Sequence, residues 1–378
     1  MLSIRALNCK ESPTLAISSK AKAMKKQGLD VIDFGAGQPD FEPTENIKKA
    51  IINSLDKKGY AKYTPASGKP ELKQAIVNKL KKENNIEYTT DQILASCGAK
   101  HSLYNIMQAL VDKGDEVIIP SPYWVSYPEQ VKLADGTPII VETDENFKIK
   151  ADKIKEKITD KTKIILINSP SNPTGAVIDD VELKKIAELV VEKGIYVISD
   201  EIYEKIIYDK KHISIASLNN DIKKLTLTVN GISKAYAMPG LRIGYTAGPA
   251  EIIKAMSNIQ AQSTSNPTSI IQDAAIEALN GSQEEVEKRR DEFRQRRDFI
   301  VKRLNEIGLK CSNPDGAFYV FPQIGQDSIN FANRLLEKEK VAVVPGVYFG
   351  NENYIRISYA ASMEHIEEGI KRIEGFVK

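Results

Sequence analysis

The run Lys163-Ile164-Ile165-Leu166-Ile167-Asn168 is an apolar segment of strand length that ends on a polar residue. After it, Asp179 to Glu192 carries an amphipathic helical period, with Asp179 or Asp180 placed to cap it, and Ile195 to Ser199 is a second apolar run. Strand, helix and strand in that order predict parallel strands joined by a crossover helix. Working outward, Ala99 to Val111 reads as a helix and Glu116 to Ile119 as a strand stopped by Pro120. Trp124 to Leu133 reads as helical, Thr137 to Glu142 as extended, and Leu225 to Val229 as a β-branched run before Gly231. Such strands are covered by helices on both faces, and ligands bind in the loops at their carboxyl ends.

The pattern changes after Gly244. Helices dominate from about Ala250 to Leu304, short strands follow at Ala317 to Phe321, Val341 to Val344 and Tyr354 to Ser358, and a last helix spans Met363 to Phe376. The expectation is an α/β chain in two parts. A large domain over 46–280 holds a mainly parallel central sheet, and a smaller α+β domain is made from both chain ends, 1–45 and 281–378.

Composition narrows the function classes. At 378 residues the chain exceeds the roughly 100–200 of one ordinary domain. Its 42% hydrophobic and 28% charged residues exclude collagen-like, disordered and membrane-spanning classes. Apolar runs stop well short of the roughly 18–20 residues of a membrane span, and Met1-Leu2-Ser3-Ile4-Arg5 lacks the apolar segment of a signal peptide. A net charge of +2 offers nucleic acid no broad basic surface. The basic stretch Lys288 to Arg297 is interrupted by Asp291 and Glu292 and reads as a solvated helix face. Cys9, Cys97 and Cys311 show no CxxC spacing, and His101, His212 and His365 are far apart with no HExxH. Neither a disulfide framework nor a zinc site is expected, and the location expected is the cytoplasm.

Four segments place unusual residues at the ends of expected strands. In Ser233-Lys234-Ala235-Tyr236-Ala237-Met238-Pro239-Gly240-Leu241-Arg242-Ile243-Gly244, a lysine just past a strand is followed by small residues that allow close approach, then by an arginine. Ser199-Asp200-Glu201-Ile202-Tyr203 puts an acid directly after a strand, where a helix cap is the ordinary explanation. Asn168-Ser169-Pro170-Ser171-Asn172-Pro173-Thr174-Gly175 has the residues of a turn. Ser96-Cys97-Gly98-Ala99-Lys100 opens a helix with small residues, leaving free backbone N–H groups as an anion seat.

Each segment alone is ordinary; together, and in this order, they resemble the class I pyridoxal-phosphate-dependent aminotransferase family of fold type I. The resemblance runs from Asp33-Phe34-Gly35-Ala36-Gly37-Gln38-Pro39-Asp40-Phe41 to Tyr354-Ile355-Arg356-Ile357-Ser358. Within the family it is nearest to bacterial aspartate aminotransferases, through Tyr123-Trp124-Val125-Ser126-Tyr127 and Val343-Val344-Pro345-Gly346.

The resemblance implies pyridoxal 5'-phosphate as cofactor, with Lys234 as the lysine that holds its aldehyde as an imine and then carries the proton. Asp200 resembles the partner of the pyridine nitrogen, Tyr203 and Asn172 the donors to the ring phenolate, and Trp124 the aromatic that stacks on the ring. Gly98, Ala99 and Lys100 match the phosphate seat, and Arg242 its bidentate cation. Many members carry a serine three residues before the lysine; here that position is Gly231. Arg356 resembles the arginine that grips the α-carboxylate, helped by the Gly37 backbone, while Gly35 reads as a turn residue. Lys100 and Thr14 match positions that receive the distal carboxylate, and with Lys10 they also resemble prephenate aminotransferases. Tyr63, in Lys62-Tyr63-Thr64-Pro65-Ala66-Ser67-Gly68, resembles the tyrosine that reaches the neighbouring subunit's phosphate, which implies a homodimer with shared sites.

The activity expected is ping-pong transfer of an amino group between L-aspartate or L-glutamate and a 2-oxo acid such as 2-oxoglutarate. The alternatives are an aspartate/prephenate aminotransferase, an aromatic aminotransferase and a carbon–sulfur lyase on the same fold. An acid-binding Lys100 argues against the lyase. A transcription regulator would need a DNA-binding domain ahead of residue 33, where the sequence leaves little room.

Overall fold

The computed structural model describes residues 2, 3, 6, 7, 9 and 13–378. Helix α1 (Pro13–Lys26) and the short strand β1 (Ile32–Asp33) lead to α2 (Glu45–Leu55) and α3 (Pro70–Asn84). Then come β2 (Ile93–Ser96), α4 (Ala99–Leu110), β3 (Glu116–Ser121), α5 (Ser126–Leu133), β4 (Thr137–Glu142) and α6 (Ala151–Lys155). These are followed by β5 (Thr162–Asn168), α7 (Asp180–Lys193), β6 (Tyr196–Asp200), α8 (Asn220–Lys223), β7 (Thr226–Gly231) and β8 (Gly244–Ala247). Three helices, α9 (Ala250–Ser263), α10 (Ser269–Asn280) and α11 (Glu284–Glu306), precede β9 (Tyr319–Val320) and α12 (Ser328–Glu339). The chain closes with β10 (Val341–Ala342), β11 (Val344–Pro345), β12 (Ile355–Ser358) and α13 (Met363–Val377).

Strands β2 to β8 form one seven-stranded sheet in the order β2-β8-β7-β6-β5-β3-β4. From β7 to β4 every pairing is parallel, whereas β8 runs antiparallel to both neighbours. The deciding run behaves as a strand covered twice. Ile164 and Leu166 join one core cluster and Ile165 and Ile167 another, as alternation across a pleat requires. Each such buried side chain contributes about 1.5–3 kcal/mol. Helix α7 buries Leu183, Ile186, Ala187, Leu189 and Val190 against this sheet and stops at Gly194, which is left-handed at φ 62°.

Several details differ from the sequence reading. β2 and β8 were not foreseen, because four residues ending in or beginning with small side chains carry no readable period. Pro120 does not stop β3. The Glu116 N–H points toward β5, so the Pro120 nitrogen faces the same side, and pairing with β5 has ended at Ile118. Trp124 precedes α5 rather than opening it, since the neighbouring Tyr123 N–H is bonded to the Phe349 carbonyl at 3.0 Å. Asp179 is at the N-cap of α7 but makes no side-chain cap bond, and its carboxylate meets Lys210 at 3.1 Å. The strand expected over Ala317 to Phe321 shrinks to β9, as Ala317 sits at φ 56° and bonds the Ile206 carbonyl.

The C-terminal elements share a core with the segment that follows β6. Phe293 and Ile300 of α11, Phe318, Tyr319, Ile357 and Ile366 pack with Ile202, Tyr203 and Ile206. The basic stretch is not simply solvated. The 3.6-residue period turns Arg296 and Arg297 inward beside Phe293 and Ile300. Arg296 pairs with Asp40 at 2.7 Å and Arg297 with Asp209 at 2.8 Å.

Candidate active site

The chemistry-bearing residues meet where β5, β6 and β7 end, opposite the start of α4. β6 ends on Asp200, which is buried. Tyr127 Oη donates to its Oδ2 at 2.7 Å and the Ile202 N–H to its Oδ1 at 3.2 Å. Burial pushes the carboxyl up to about 6, while the Tyr127 and Ile202 bonds and the Lys234 charge pull the other way. Past β7, the Lys234 amine donates to the Gly37 carbonyl at 2.5 Å and lies 5.7 Å from the Tyr203 ring centroid. Burial, then the Arg356 charge, lower this amine to about 8. At pH 7 roughly one molecule in ten then carries it neutral, against a few in ten thousand for an ordinary lysine.

Arg356 in β12 is 2% exposed, and Ile355 and Ile357 turn to the opposite face. Its Nη1 donates to Asn172 Oδ1 at 3.0 Å and its Nη2 to the Gly35 carbonyl at 2.7 Å, while Nε has no partner. Tyr319 and Phe349 flank the guanidinium at 4.5 and 5.1 Å. Gly35 is therefore more than a turn residue: its carbonyl orients the arginine and its N–H bonds Asp33. Asn172 spends its amide oxygen on Arg356, which leaves its amide N–H groups to donate elsewhere. Tyr203 Oη shares a 2.8 Å hydrogen bond with Tyr319 Oη. A Cβ on Gly37 would stand 3.1 Å from that same Tyr319 oxygen.

At the start of α4, Gly98 is at φ 87°, and a Cβ there would lie 2.4 Å from Arg242 Nη2. Arg242 bonds the carbonyls of Pro239 and Cys97. Gly244 passes so close that its Cβ would stand 2.2 Å from the Ala99 nitrogen. The departure at Gly231 now has a cause: a side chain there would meet the Ile243 carbonyl at 2.8 Å. A serine at that position needs β8 to move. Lys100 Nζ lies 4.7 Å from the centroid of the Trp124 ring, whose edge contact with Tyr127 spans 5.3 Å at 84°.

The outlying residues are placed differently. Thr14 is half-buried in α1, Tyr63 is 90% exposed on a surface loop, and Lys10 lies outside the described residues. The sequence reading gave no role to Tyr127, although it lies in the quoted stretch with Trp124, and it missed Tyr319 and Phe349, which carry no motif and are recognisable only by packing. Electrostatically the site is one-sided. The Lys234 amine feels three cations, Arg356, Arg242 and Lys100, against one carboxylate, Asp200, while the Asp33 charge reaches Arg356. Among the described residues no Asp or Glu forms an ion pair with Lys234 or Arg356. Unpaired buried charge is costly, so the arrangement is suited to anions that arrive from outside.

Over residues 29–373 the sequence matches the family described as aminotransferase class I and II. The chain belongs to that family. Across its whole length it is 50% identical to an aspartate aminotransferase of Bacillus sp. (strain YM-2), covering 99% of that relative. It is 47% identical to a probable aspartate/prephenate aminotransferase of Aquifex aeolicus, over 99% of this chain and 98% of that one. Among solved structures, the aspartate aminotransferase from Thermus thermophilus with maleate superimposes with a TM-score of 0.96 at 42% identity, covering 99% of both chains. In this aminotransferase, then, the strand-end segments belong to an enzyme.

Behind the site the aminotransferase carries a second polar cluster. Glu201 accepts from Ser199, Ser214 and His212, and Glu204 from Lys79, Asn84 and Asn230. The ligand atoms of Glu201, Glu204 and His212 lie within 4.8 Å of one another. Lys79 already neutralises Glu204, and the cluster's bonds are made within the protein.

Proposed function

We propose that this chain transfers an amino group between L-aspartate or L-glutamate and a 2-oxo acid such as 2-oxoglutarate, in ping-pong fashion, with pyridoxal 5'-phosphate as cofactor. The observation that carries the reading is the pair of buried cations, Lys234 and Arg356, which converge on the carbonyls of Gly37 and Gly35 without an acidic partner. A phosphorylated cofactor and a substrate carboxylate supply the charge they lack.

The residues present fit that cofactor. Its phosphate would take the backbone N–H groups of Gly98, Ala99 and Lys100, where the glycine cradle leaves no room for side chains, with Arg242 as counter-charge. Lys234 would hold it, Asp200 would face its ring nitrogen, Tyr203 and Asn172 its phenolate oxygen, and Trp124 its ring face. When bound, the group supplies an electrophilic carbon and a ring that accepts electrons.

The chain's own residues do the rest. Lys234, with its lowered pKa, can both give and take a proton near neutrality. Arg356, pre-oriented by Gly35 and Asn172, fixes the α-carboxylate and with it the direction of the Cα–H bond. Lys100 and Thr14 would meet the distal carboxylate. A second reading, with prephenate as amino acceptor, is supported by the 47% identity to a probable aspartate/prephenate aminotransferase.

The proposal includes a homodimer in the cytoplasm. Ile52, Leu55, Tyr60 and Tyr63 are exposed within one short stretch, a surface that a second copy would cover. Cys9, Cys97 and Cys311 are free thiols, and no helix among the described residues is long and apolar enough to cross a membrane. The domain division at 46–280 accords with the seven-stranded sheet lying wholly between Ile93 and Ala247.

The test is a coupled assay of aspartate and 2-oxoglutarate on cofactor-loaded protein, alongside borohydride reduction and peptide mapping. Turnover with a pyridoxyl label on Lys234 is expected. Active protein labelled elsewhere would end the reading.

A further inference from the structure

Tyr127 has no role in the account above, yet it touches two of its principal groups. Its hydroxyl donates to Asp200 Oδ2 at 2.7 Å, and its ring meets Trp124 edge-on at 5.3 Å. It is 2% exposed, and its N–H bonds the Trp124 carbonyl at 3.0 Å, which fixes it on the first turn of α5. The cofactor-facing acid and the cofactor-facing aromatic are thus tied to one side chain.

We propose that Tyr127 is a positioning residue whose hydroxyl keeps Asp200 ionised and aimed, so that cofactor affinity depends on this hydrogen bond at low pH and not at high pH. The inference rests on the aminotransferase reading and deepens it.

A phenol suits this task because it donates without bringing another positive charge near Lys234 and Arg356. Among the described residues, four titratable groups face Asp200: Tyr127 from α5, Lys234 from beyond β7, and Glu201 and Tyr203 from its own segment. Burial raises the Asp200 carboxyl to about 6 even with the Tyr127 bond in place, and the Glu201 charge adds to the rise. Burial and the Asp200 charge hold the Tyr127 phenol far above its ordinary range, so it remains a donor. Removing the hydroxyl therefore raises the Asp200 pKa further and enlarges the protonated share near neutrality. A protonated Asp200 has no charge to offer a ring nitrogen.

Tyr127→Phe removes the donor and keeps the ring. The measurement is the dissociation constant of pyridoxal 5'-phosphate from the full-length apoprotein between about pH 5.5 and 9, with the pH profile of kcat/KM beside it. A donor to a charged acceptor corresponds to a shift of about one pH unit. Expected, then, is roughly fivefold weaker binding near pH 6, rising toward tenfold below it and converging on wild type toward pH 9, with the acid limb of kcat/KM moved up by about one unit. A ratio of dissociation constants that is the same at every pH, or superimposable profiles, would overturn the proposal. Should the Phe variant fail to fold, 3-fluorotyrosine at position 127 carries the test: its more acidic hydroxyl must move the acid limb down, and an unmoved limb overturns the proposal. Wild-type protein that does not transaminate overturns the functional reading itself. An active wild type with a pH-independent Tyr127→Phe ratio removes Tyr127 alone.

Discussion

Arg356 shows how the cost of a buried charge points to a ligand. Two of its nitrogens are bound to neutral acceptors, its Nε has none, and burial lowers its pKa more than the nearby tyrosines and the Asp33 charge raise it. Such a group is retained where an anion completes it. Arg356→Lys keeps the charge but loses the planar fork. It should lower kcat/KM by roughly a hundred- to ten-thousand-fold for every amino donor, acidic or neutral, as two charged hydrogen bonds of about 1.5–3 kcal/mol each imply. Steady-state kinetics with aspartate and phenylalanine check this; a loss confined to aspartate would reassign Arg356 to the distal end. Lys100 makes the opposite prediction. Lys100→Ala should raise KM for aspartate about tenfold and leave a neutral donor within about twofold, because only the dicarboxylate offers it a second anion. Equal effects on both donors would show that the lysine serves only the α4 terminus.

At the scale of elements, the segment after β6 works on two sides. Asp200 and Tyr203 face the site, while Glu201 and Glu204 reach the polar cluster behind it. Asn230 at the end of β7 donates to Glu204, so the cluster ties the Asp200 segment to the strand that leads to Lys234. Burial opposes the Glu204 charge, but the Lys79 charge and its hydrogen bonds outweigh it and bring the carboxyl down to about 2 from an ordinary 4.5. A depressed pKa contributes stability that is complete above 4.5 and is lost as pH falls toward 2. Glu204→Gln should therefore cost about 3 kcal/mol at neutral pH and flatten the fall in stability between those limits, as measured by urea unfolding at several pH values. A variant that matches wild type at neutral pH would show that the pair does not stabilise the fold.

The same segment shows what the sequence could disclose. Asp200 is legible because an acid at a strand's carboxyl end stands out against the apolar run before it. Lys234 is legible because small residues follow it. Glu204 is not, since its partner Lys79 is 125 positions away. Tyr127 stands in a quoted stretch, but its tie to Asp200 is equally silent, because the two lie 73 positions apart and an aromatic on a helix looks like any core residue. Periodicity revealed the parallel strands, whose burial on both faces gives long apolar runs. It passed over β2 and β8, where backbone proximity at Gly244 and Gly98 decides the structure. Arg296 and Arg297 were misjudged for a related reason: charge alternation describes composition, and their burial depends on Asp40 and Asp209, which are brought in from elsewhere.

For the whole molecule the open term is the second copy. Tyr63 stands 90% exposed, yet the dimer reading gives it a phosphate to hold in the other subunit. If each site takes Lys234 from one chain and Tyr63 of the partner subunit, two defects on separate chains must complement. In a hybrid of Lys234→Ala with Tyr63→Ala, one site inherits both intact residues and the other inherits neither. Random pairing of equal amounts makes about half of all dimers hybrid, each with one sound site in two, so co-expression should give about a quarter of wild-type turnover plus about a quarter of the residual activity of the Tyr63→Ala parent. The purified parents, mixed without subunit exchange, should give only their weighted average. Sedimentation confirms that dimers carry the activity. Co-expressed chains that never exceed that average, while sedimenting as dimers, would place Tyr63 outside the site and leave each subunit to hold its phosphate alone.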